Sequence, residues 1–208
     1  MNQIDAITYK VADLLDRRND IGFIMSVRDT LWNIRAKYLR QDFNKNLLYR
    51  PESIQDLGFI KLVEVPKGEC NIPKDCNLKR TECPIPAPIE TNYHNHFMYV
   101  GASDGSPDYQ PTTEFENENA CYELYPALYP TYFRKNGFLY VVNGKNSINI
   151  RTMFANPREA EDFCKNDCSN CSVLENAYIP KDMVEDIEME ILKLYSVEKN
   201  PETDEIKL

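Results

Sequence analysis

The residues best suited to chemistry are cysteines, and three of the seven form the pattern Cys164-x3-Cys168-x2-Cys171. Three thiolates at such a spacing can hold an iron–sulfur cluster with one iron left open to a ligand, as in radical-SAM enzymes. Only 37 residues follow Cys171, too few for the large domain that this chemistry requires. Asn170 also occupies the position where such enzymes usually have an aromatic residue. Both observations argue against a radical enzyme.

Zinc is the second chemistry that this group could support, because Cys168-x2-Cys171 matches half of a zinc-knuckle pattern. A structural zinc site needs four ligands, so Cys164 and at least one residue from elsewhere would have to join. The candidates are the two histidines, which would share one face of a strand, and the first cysteine group: His94, His96, Cys70, Cys76 and Cys83. The favoured interpretation is a set of reduced, unliganded thiols, because the count is odd and no signal-like segment opens the sequence. We therefore expect no bound cofactor.

Known catalytic motifs are missing from the sequence. Seven glycines leave no phosphate-binding loop, and there is no nucleophile elbow, no His-Glu-x-x-His pair and no kinase signature. Neighbouring acids such as Glu116 and Glu118 fall in a polar stretch, where solvation is their expected role. The sequence thus predicts a protein that is not an enzyme.

The overall charge limits the range of partners. Lys plus Arg number 24 and Asp plus Glu number 33, so the net charge of −9 argues against a protein that wraps DNA or coats anionic lipid. No apolar run approaches the ~20 residues of a membrane helix. The opening residues MNQIDAITYKVADLL lack the basic cluster and apolar core of a secretory signal. We expect synthesis in the cytoplasm and no membrane association.

The elements that would position these residues follow the distribution of proline. Residues 1–50 contain none, whereas residues 51–130 contain ten of the thirteen, which predicts helices followed by strands and long loops. We expect the first helix over about Ile4–Asp16 and the second over about Ile21–Phe43, with Asp20 as the cap of the second. The first helix carries the apolar stripe Ile4, Ile7, Val11, Leu14 and Leu15.

The second helix carries a seam of large side chains at spacings of three and four residues: Ile24, Val27, Leu31, Ile34 and Tyr38. Three basic residues flank it: Arg28, Arg35 and Arg40. The first helix has about three turns and the second about six, so the half of the seam near Ile34 and Tyr38 must pack on the β domain or on another chain. We predict that these eight residues contribute to a contact between subunits. The alternative is that the seam only buries the first helix.

Charge is distributed unevenly along the chain. Residues 17–50 carry eight basic and three acidic side chains, whereas residues 182–208 carry nine acids and three lysines. Such a pattern suits head-to-tail contacts between subunits of a ring. It equally suits a contact between the two regions within one chain, or two separate solvated faces.

The middle of the chain predicts an antiparallel sheet. Gly58–Val65 and Phe97–Val100 have the composition of strands. A three-strand meander is expected over Thr131–Lys135, Phe138–Val142 and Ser147–Phe154. Its turns are Asn136-Gly137 and Asn143-Gly144, because such pairs supply the positive φ angles that tight hairpins need.

The last part of the chain predicts two helices. Asn156 and Pro157 suit the cap and first position of one helix, and Ile179-Pro180 precedes the other. The predicted fold class is α+β. Its three parts are an N-terminal helical hairpin over residues 1–50, an antiparallel β domain with long Pro-rich loops over 51–155, and C-terminal helices with a polar tail over 156–208.

The order of these segments resembles a known family. The helical pair contains LLDRRNDIGFIMSVRDTLWNIRAKYLR, and the hairpin region contains YPTYFRKNGFLYVVNGKNSINIRTMFANPREAEDFC. The end contains YIPKDMVEDIEMEILKLY followed by NPETDEIKL. In this order the chain resembles the neck ring or adaptor proteins of tailed bacteriophages, in particular those of crAss-like phages.

The resemblance implies a virion protein that assembles as a homo-oligomeric ring of twelve copies. It would contact the portal protein and other neck or tail proteins, join the capsid to the tail, and lie near the genomic DNA without reading it. No residue of such a protein performs chemistry, so no catalytic position is carried over. The alternative function is a zinc-stabilised intracellular binding or regulatory domain.

Overall fold

The computed structural model describes residues 3–66, 69, 77–92, 96–102, 104, 108–120, 129–165 and 179–197, without the side chains of 118–120, 164–165 and 197. The chain forms two compact units. The helical unit combines residues 1–53 with residues 176–208, and the β unit is formed by residues 54–175. The first and last of the three predicted segments thus contribute to one unit, apart from the helix that begins at Pro157.

The helices are α1 (Gln3–Leu14), α2 (Ile21–Asn46), α3 (Glu114–Ala120), α4 (Pro157–Lys165) and α5 (Val184–Val197). Two short 3₁₀ turns lie at Pro51–Ser53 and Lys181–Met183. The strands are β1 (Gln55–Glu64), β2 (Leu78–Thr81), β3 (Tyr99–Ala102), β4 (Gln110–Pro111), β5 (Thr131–Lys135), β6 (Phe138–Val142) and β7 (Ser147–Thr152). The helices at both ends and the mostly antiparallel sheet between them confirm the α+β prediction.

The helical unit begins with α1 and α2, which form the predicted hairpin. Asp20 caps α2, because its carboxylate accepts a hydrogen bond from the Phe23 N–H at 2.9 Å. The apolar stripe of α1 is buried with one exception, since Leu14 is 61% exposed. At the other end of α2, Leu47 takes a left-handed φ of 55° and its N–H bonds to the Phe43 carbonyl.

Helix α5 completes the core of the helical unit. Its buried residues Ile187 and Ile191 lie on one side, and it packs against both α1 and α2. Gln3 fixes the start of this segment, because its side-chain amide both donates to the carbonyl of Ile179 and accepts from its N–H. The helical arm is therefore a three-helix unit that the chain completes about 130 residues later.

The β5–β6 hairpin forms as predicted. The two strands pair antiparallel from Thr131↔Val142 to Lys135↔Phe138. Asn136 and Gly137 form the turn with φ angles of 50° and 82°. These are the positive angles that a two-residue hairpin turn requires.

The predicted third strand of the meander forms as β7, but its predicted pairing with β6 is wrong. The strand order in the sheet is β3-β7-β1-β2-β6-β5-β4, so β7 pairs with β1 and β3, and β1 and β2 lie between it and β6. Asn143 has a φ of 57°, but Gly144 has no positive φ. Asn143-Gly144 therefore leads out of β6 without forming a tight hairpin. Gly144 is required for a steric reason, because a Cβ there would overlap the Cγ1 of Val141.

The segment Asp108–Pro111 joins the two ends of the sheet. The Tyr109 N–H donates to the Val100 carbonyl of β3 at 2.7 Å. The Gln110 N–H donates to the Pro130 carbonyl at 3.0 Å, and β4 pairs in parallel with β5. Because β3 and β4 are the outermost strands, these bonds close a strongly curled sheet on itself.

The interior of the closed sheet is the core of the β unit. Phe97 and Tyr132, from opposite ends of the strand order, make an edge-to-face ring contact at 5.8 Å. Ala160 and Phe163 of α4 pack into the same core. A smaller cluster of Phe133, Tyr140 and Val142 lies apart from it. As predicted, Asn156 caps α4, because its side chain accepts a hydrogen bond from the Arg158 N–H at 3.1 Å.

Three elements of the β unit were absent from the predictions, namely β2, β4 and α3. Strand β2 follows the loop after β1 and pairs with both β1 and β6. Helix α3 lies in the stretch that was expected to be polar loop. The Thr113 hydroxyl accepts from the Glu116 N–H, and the Glu116 carboxylate accepts from the Thr113 N–H at 2.7 Å. Glu116 is thus an exposed residue of a capping box in α3 and does not lie in a loop.

Candidate assembly surface

The seam of α2 lies largely in the core of the helical unit. Val27, Leu31 and Ile34 are buried, and Ile24 and Tyr38 are partly buried. The half of the seam that α1 does not reach is covered by α5 of the same chain, which the sequence alone did not indicate. These buried side chains contribute to the stability of the unit. A role of the eight residues in subunit contacts stays a prediction.

The three flanking arginines have different surroundings. Arg28 forms an ion pair with Asp5 of α1 at 2.6 Å, whereas Arg40 is exposed. Arg35 is completely buried, and this burial lowers the pKa of its guanidinium to about 10. Arg40 is therefore the one of the three whose side chain is exposed.

Part of the uneven charge along the chain is neutralised within the helical unit. Lys37 of α2 pairs with Glu190 of α5 at 2.7 Å, and Lys10 of α1 pairs with Glu188 at 2.5 Å. The hydrogen bond from Lys37 lowers the pKa of Glu190 below its ordinary value. The sequence left three explanations open for the uneven charge. These ion pairs show the one in which the two charged regions meet within a single chain. They leave the question of contacts between subunits untouched.

The open side of α2 carries a different set of residues. Met25, Asp29, Asn33 and Arg40 are exposed. They follow one another at spacings of four, four and seven residues, which places them on one side of the helix. Sequence reasoning overlooked this side because it followed the apolar seam. The available signal was Met25, a large apolar residue outside the seam's spacing.

Comparison with protein families bears on the role of these surfaces. A family model described as phage tail ring protein 2, of the crAss-like ring group, matches residues 16–207. The chain belongs to this family. A comparison with curated proteins gave no significant match.

Membership confirms the resemblance seen in the segment order and gives the protein a structural role in the phage tail, and hence a place in the virion. The match includes α2, the complete β unit and α5. It leaves out α1, which ends at Leu14. No described helix of this ring protein is long and apolar enough to cross a membrane.

The cysteines of the ring protein differ from the expectation at one position. Cys83 is disulfide-bonded, so the prediction that all seven thiols are reduced is wrong there. Cys83 is the one cysteine whose side chain the structure describes, so its partner is one of the other six. The odd number of cysteines and the lack of a signal-like opening segment indicate reduced thiols for the set as a whole. Whether two particular cysteines form a disulfide depends on how close the folded chain brings them.

The predicted metal ligands lie mostly beyond the described residues. Four candidate cysteines and one histidine fall outside them: Cys70, Cys76, Cys168, Cys171 and His94. Cys164 lies in α4 without a described side chain. His96 is partly buried, and its Nδ1 accepts from the Thr91 N–H at 3.5 Å. Within the described ranges, no three His, Cys, Asp or Glu side chains come together as metal ligands.

Proposed function

We propose that this chain is a subunit of a twelve-membered ring at the neck of the virion, next to the portal. It would join the capsid to the tail by assembly and would catalyse no reaction. The observation that carries the proposal is membership of the phage tail ring protein 2 family over residues 16–207. The net charge of −9 favours proteins over DNA as direct partners, although the ring would lie close to the genome.

The open side of α2 is the best candidate for the contact with a neighbouring subunit or the portal. Met25 supplies an apolar contact, and Asp29 and Arg40 supply opposite charges for register. Of the eight residues predicted from sequence, Arg40 takes part directly. The buried seam residues would support this face from below by holding α2 in place.

The test is co-assembly of a double variant, Met25→Asp with Arg40→Glu, with the cognate portal. Both side chains are exposed, so circular dichroism should show an unchanged fold. Negative-stain micrographs should show rings for the parent chain and free subunits for the variant. The matched control is Leu48→Asp, since Leu48 is 71% exposed but lies beyond the other end of α2. It should assemble normally.

Two results would contradict this assignment. Rings formed by the folded double variant would mean that the open side of α2 is not the assembly surface. Absence of any ring for the parent chain, with or without portal, would contradict the ring function itself. The number of copies is read from the rotational symmetry of class averages, and a value other than twelve would correct the proposed stoichiometry.

The proposal includes no bound metal. Elemental analysis of the purified chain should give no stoichiometric zinc. One zinc per chain, lost on replacing Cys168 with Ser, would instead support the alternative of a zinc-stabilised binding domain. A regulatory domain of that kind should also fail to bind the portal.

A further inference from the structure

Strand β1 contains a bulge that turns a large aromatic side chain outward. Leu57 before the bulge and Ile60 after it are both buried in the core. Regular alternation from Leu57 would place Phe59 in the core as well. The register of the pairing with β7 instead shifts between Asp56 and Phe59, and Phe59 is 49% exposed. The bulge therefore decides that Phe59 faces solvent.

A set of hydrogen bonds centred on Asp56 holds this bulge in place. Gly58 has a left-handed φ of 66°, which glycine adopts at little cost. The Asp56 carboxylate accepts a hydrogen bond from the Gly58 N–H at 2.7 Å and one from the Asn149 side-chain amide at 2.8 Å. It accepts a third from the Nε of Arg151 at 2.8 Å. The outward position of Phe59 is thus built into the fold, and a fixed aromatic ring of this kind suits the anchor of a protein contact.

Lys61 lies on the same outward face of β1, two residues after Phe59, and is exposed. We call Phe59 and Lys61 together the β1 face. Within the described part of the chain, Lys61 takes part in no ion pair. The β1 face therefore offers a large apolar ring next to a cation that can pair with another molecule.

The open side of α2 carries the complementary pair of side chains. Met25 is 60% exposed, and Asp29, four residues later, is exposed as well. Asp29 likewise has no ion pair with another described residue. Four residues of helix rise ~6 Å and two residues of strand rise ~6.6 Å, so the apolar and the charged side chain are spaced almost equally on the two surfaces.

We infer that the open side of α2 in one subunit binds the β1 face of the next subunit. Met25 packs on the Phe59 ring, where a thioether makes favourable contacts. Asp29 pairs with Lys61 and fixes the register. A second copy is the occupant because a head-to-tail ring joins two different surfaces of the same chain, and these two are complementary. The inference rests on the proposed function, since it names the surface that the open side of α2 meets.

Photo-crosslinking in assembled rings tests the inference. Rings are formed with the cognate portal from a mixture of unlabelled and isotope-labelled chains that carry benzoylphenylalanine at Met25. Crosslinked peptides should join a labelled chain to an unlabelled one and map to β1. The matched control places the same group at Met189, which is 55% exposed on α5, and should give no crosslink to β1.

Two outcomes of the crosslinking experiment have different meanings. Rings whose Met25 crosslinks avoid β1, and map instead to another element or to the portal, would overturn the inference and leave the ring function standing. Absence of any ring for the parent chain would contradict the proposed function, and the inference with it.

Charge reversal tests the pairing of Asp29 with Lys61. Asp29→Lys should raise the subunit concentration needed for ring formation at least about tenfold, because two cations then face each other in every contact. Lys61→Asp should have a similar effect. The chain with both substitutions restores opposite charges and should assemble within about threefold of the parent. All three variants change exposed side chains, so circular dichroism should show an unchanged fold. A double variant that assembles no better than the single variants would refute the assigned pair.

Discussion

In the helical unit, ion pairs join helices that are far apart in sequence, whereas in the β unit hydrogen bonds between strand backbones do most of the joining. Lys37–Glu190 and Arg50–Asp182 connect the N-terminal helical region to the segment near α5. The β unit has ion pairs too, but Arg151–Asp56 connects residues of strands that are already paired. The comparison teaches that ion pairs add to an apolar core between the helices, whereas the strands are joined mainly by their backbone hydrogen bonds.

Shifted pKa values also distinguish the helical unit from the described part of the β unit. Asp20, Asp42 and Glu190 of the helical unit have carboxyl pKa values below their ordinary values, because they accept hydrogen bonds from backbone N–H groups, Arg50 and Lys37 respectively. Among the described residues of the β unit, Tyr99 shows a shifted pKa, raised by burial. The chain's one tryptophan, Trp32, lies in α2, so its fluorescence reports on the helical unit.

The largest expected effect comes from the core of the helical unit. Leu31→Ala should lower the free energy of unfolding by about 3 kcal/mol, because Leu31 is fully buried between helices and truncation leaves a cavity. Urea unfolding followed by Trp32 fluorescence measures the change. Leu14→Ala is the matched control and should cost less than about 0.5 kcal/mol, since Leu14 is mostly exposed. Equal losses in the two variants would mean that the assignment of the core is incorrect.

The next effect concerns glycines that play different parts in the two units. Gly144→Val should destabilise the β unit by about 2 kcal/mol, because its side chain would overlap buried Val141. Gly137→Val should cost about 1 kcal/mol or more, because its φ of 82° resists a β-branched residue. Gly22→Ala is the control in α2, where a Cβ meets only ordinary contact and the fold should be unchanged or slightly more stable. Thermal unfolding by circular dichroism distinguishes the three, and an unchanged midpoint for Gly144→Val would contradict the packing described.

A smaller effect is expected from the cap of α2. Asp20→Ala should lower stability by about 1 kcal/mol, because it removes the acceptor of the Phe23 N–H. Asp20→Asn keeps an acceptor and should lose much less. The Trp32 transition in urea measures both variants. If the two variants lose the same stability, the carboxylate acts through its charge and not through the capping bond.

The smallest effect is a dependence on acid. Because the folded pKa values of Asp42 and Glu190 lie below 3.8 and 4.5, the folded chain binds these protons more weakly than the unfolded chain. Their contribution is complete above the unfolded pKa values and is lost as the pH falls through the folded values. Each partly exposed pair should contribute up to about 1 kcal/mol at neutral pH. The Trp32 transition should therefore move to lower urea between pH 6 and about pH 3.

A double variant provides the control for this pH dependence. Asp42→Asn with Glu190→Gln should flatten the response of the Trp32 transition. Hydrogen exchange of β6 and β7 peptides in the β unit should change less over the same pH range. A β unit that loses protection before the Trp32 transition moves would reverse the comparison between the two units.

Local signals in the sequence predicted local structure well. The Asp20 cap, the Asn136-Gly137 turn and the Asn156 cap all form as expected, because each depends on residues within a few positions of one another. The same kind of signal failed at Asn143-Gly144. There the residue types suit a tight turn, but β7 pairs with β1 and not with β6. The local preference for a hairpin therefore does not lead to a hairpin.

The candidate assembly surface was harder to predict than the fold class. The seam of α2 was correctly identified as apolar, but its length suggested a partner in the β domain or in another chain. The partner of Ile34 is instead in the core that α5 completes, and that helix begins about 150 residues later. Periodicity shows that a face must be covered, but it carries no information on which element covers it.

The sequence by itself determined the α+β class, the caps, one tight turn and the resemblance to ring proteins, since each rests on residue types at short spacing. The tertiary structure decided three further points: the insertion of β1 and β2 between β6 and β7, the closure of the sheet by residues 108–111, and the union of α5 with the first two helices. Each of these depends on contacts between residues far apart in the chain. Such contacts are selected by the total burial and hydrogen bonding of the whole fold, which no local pattern encodes.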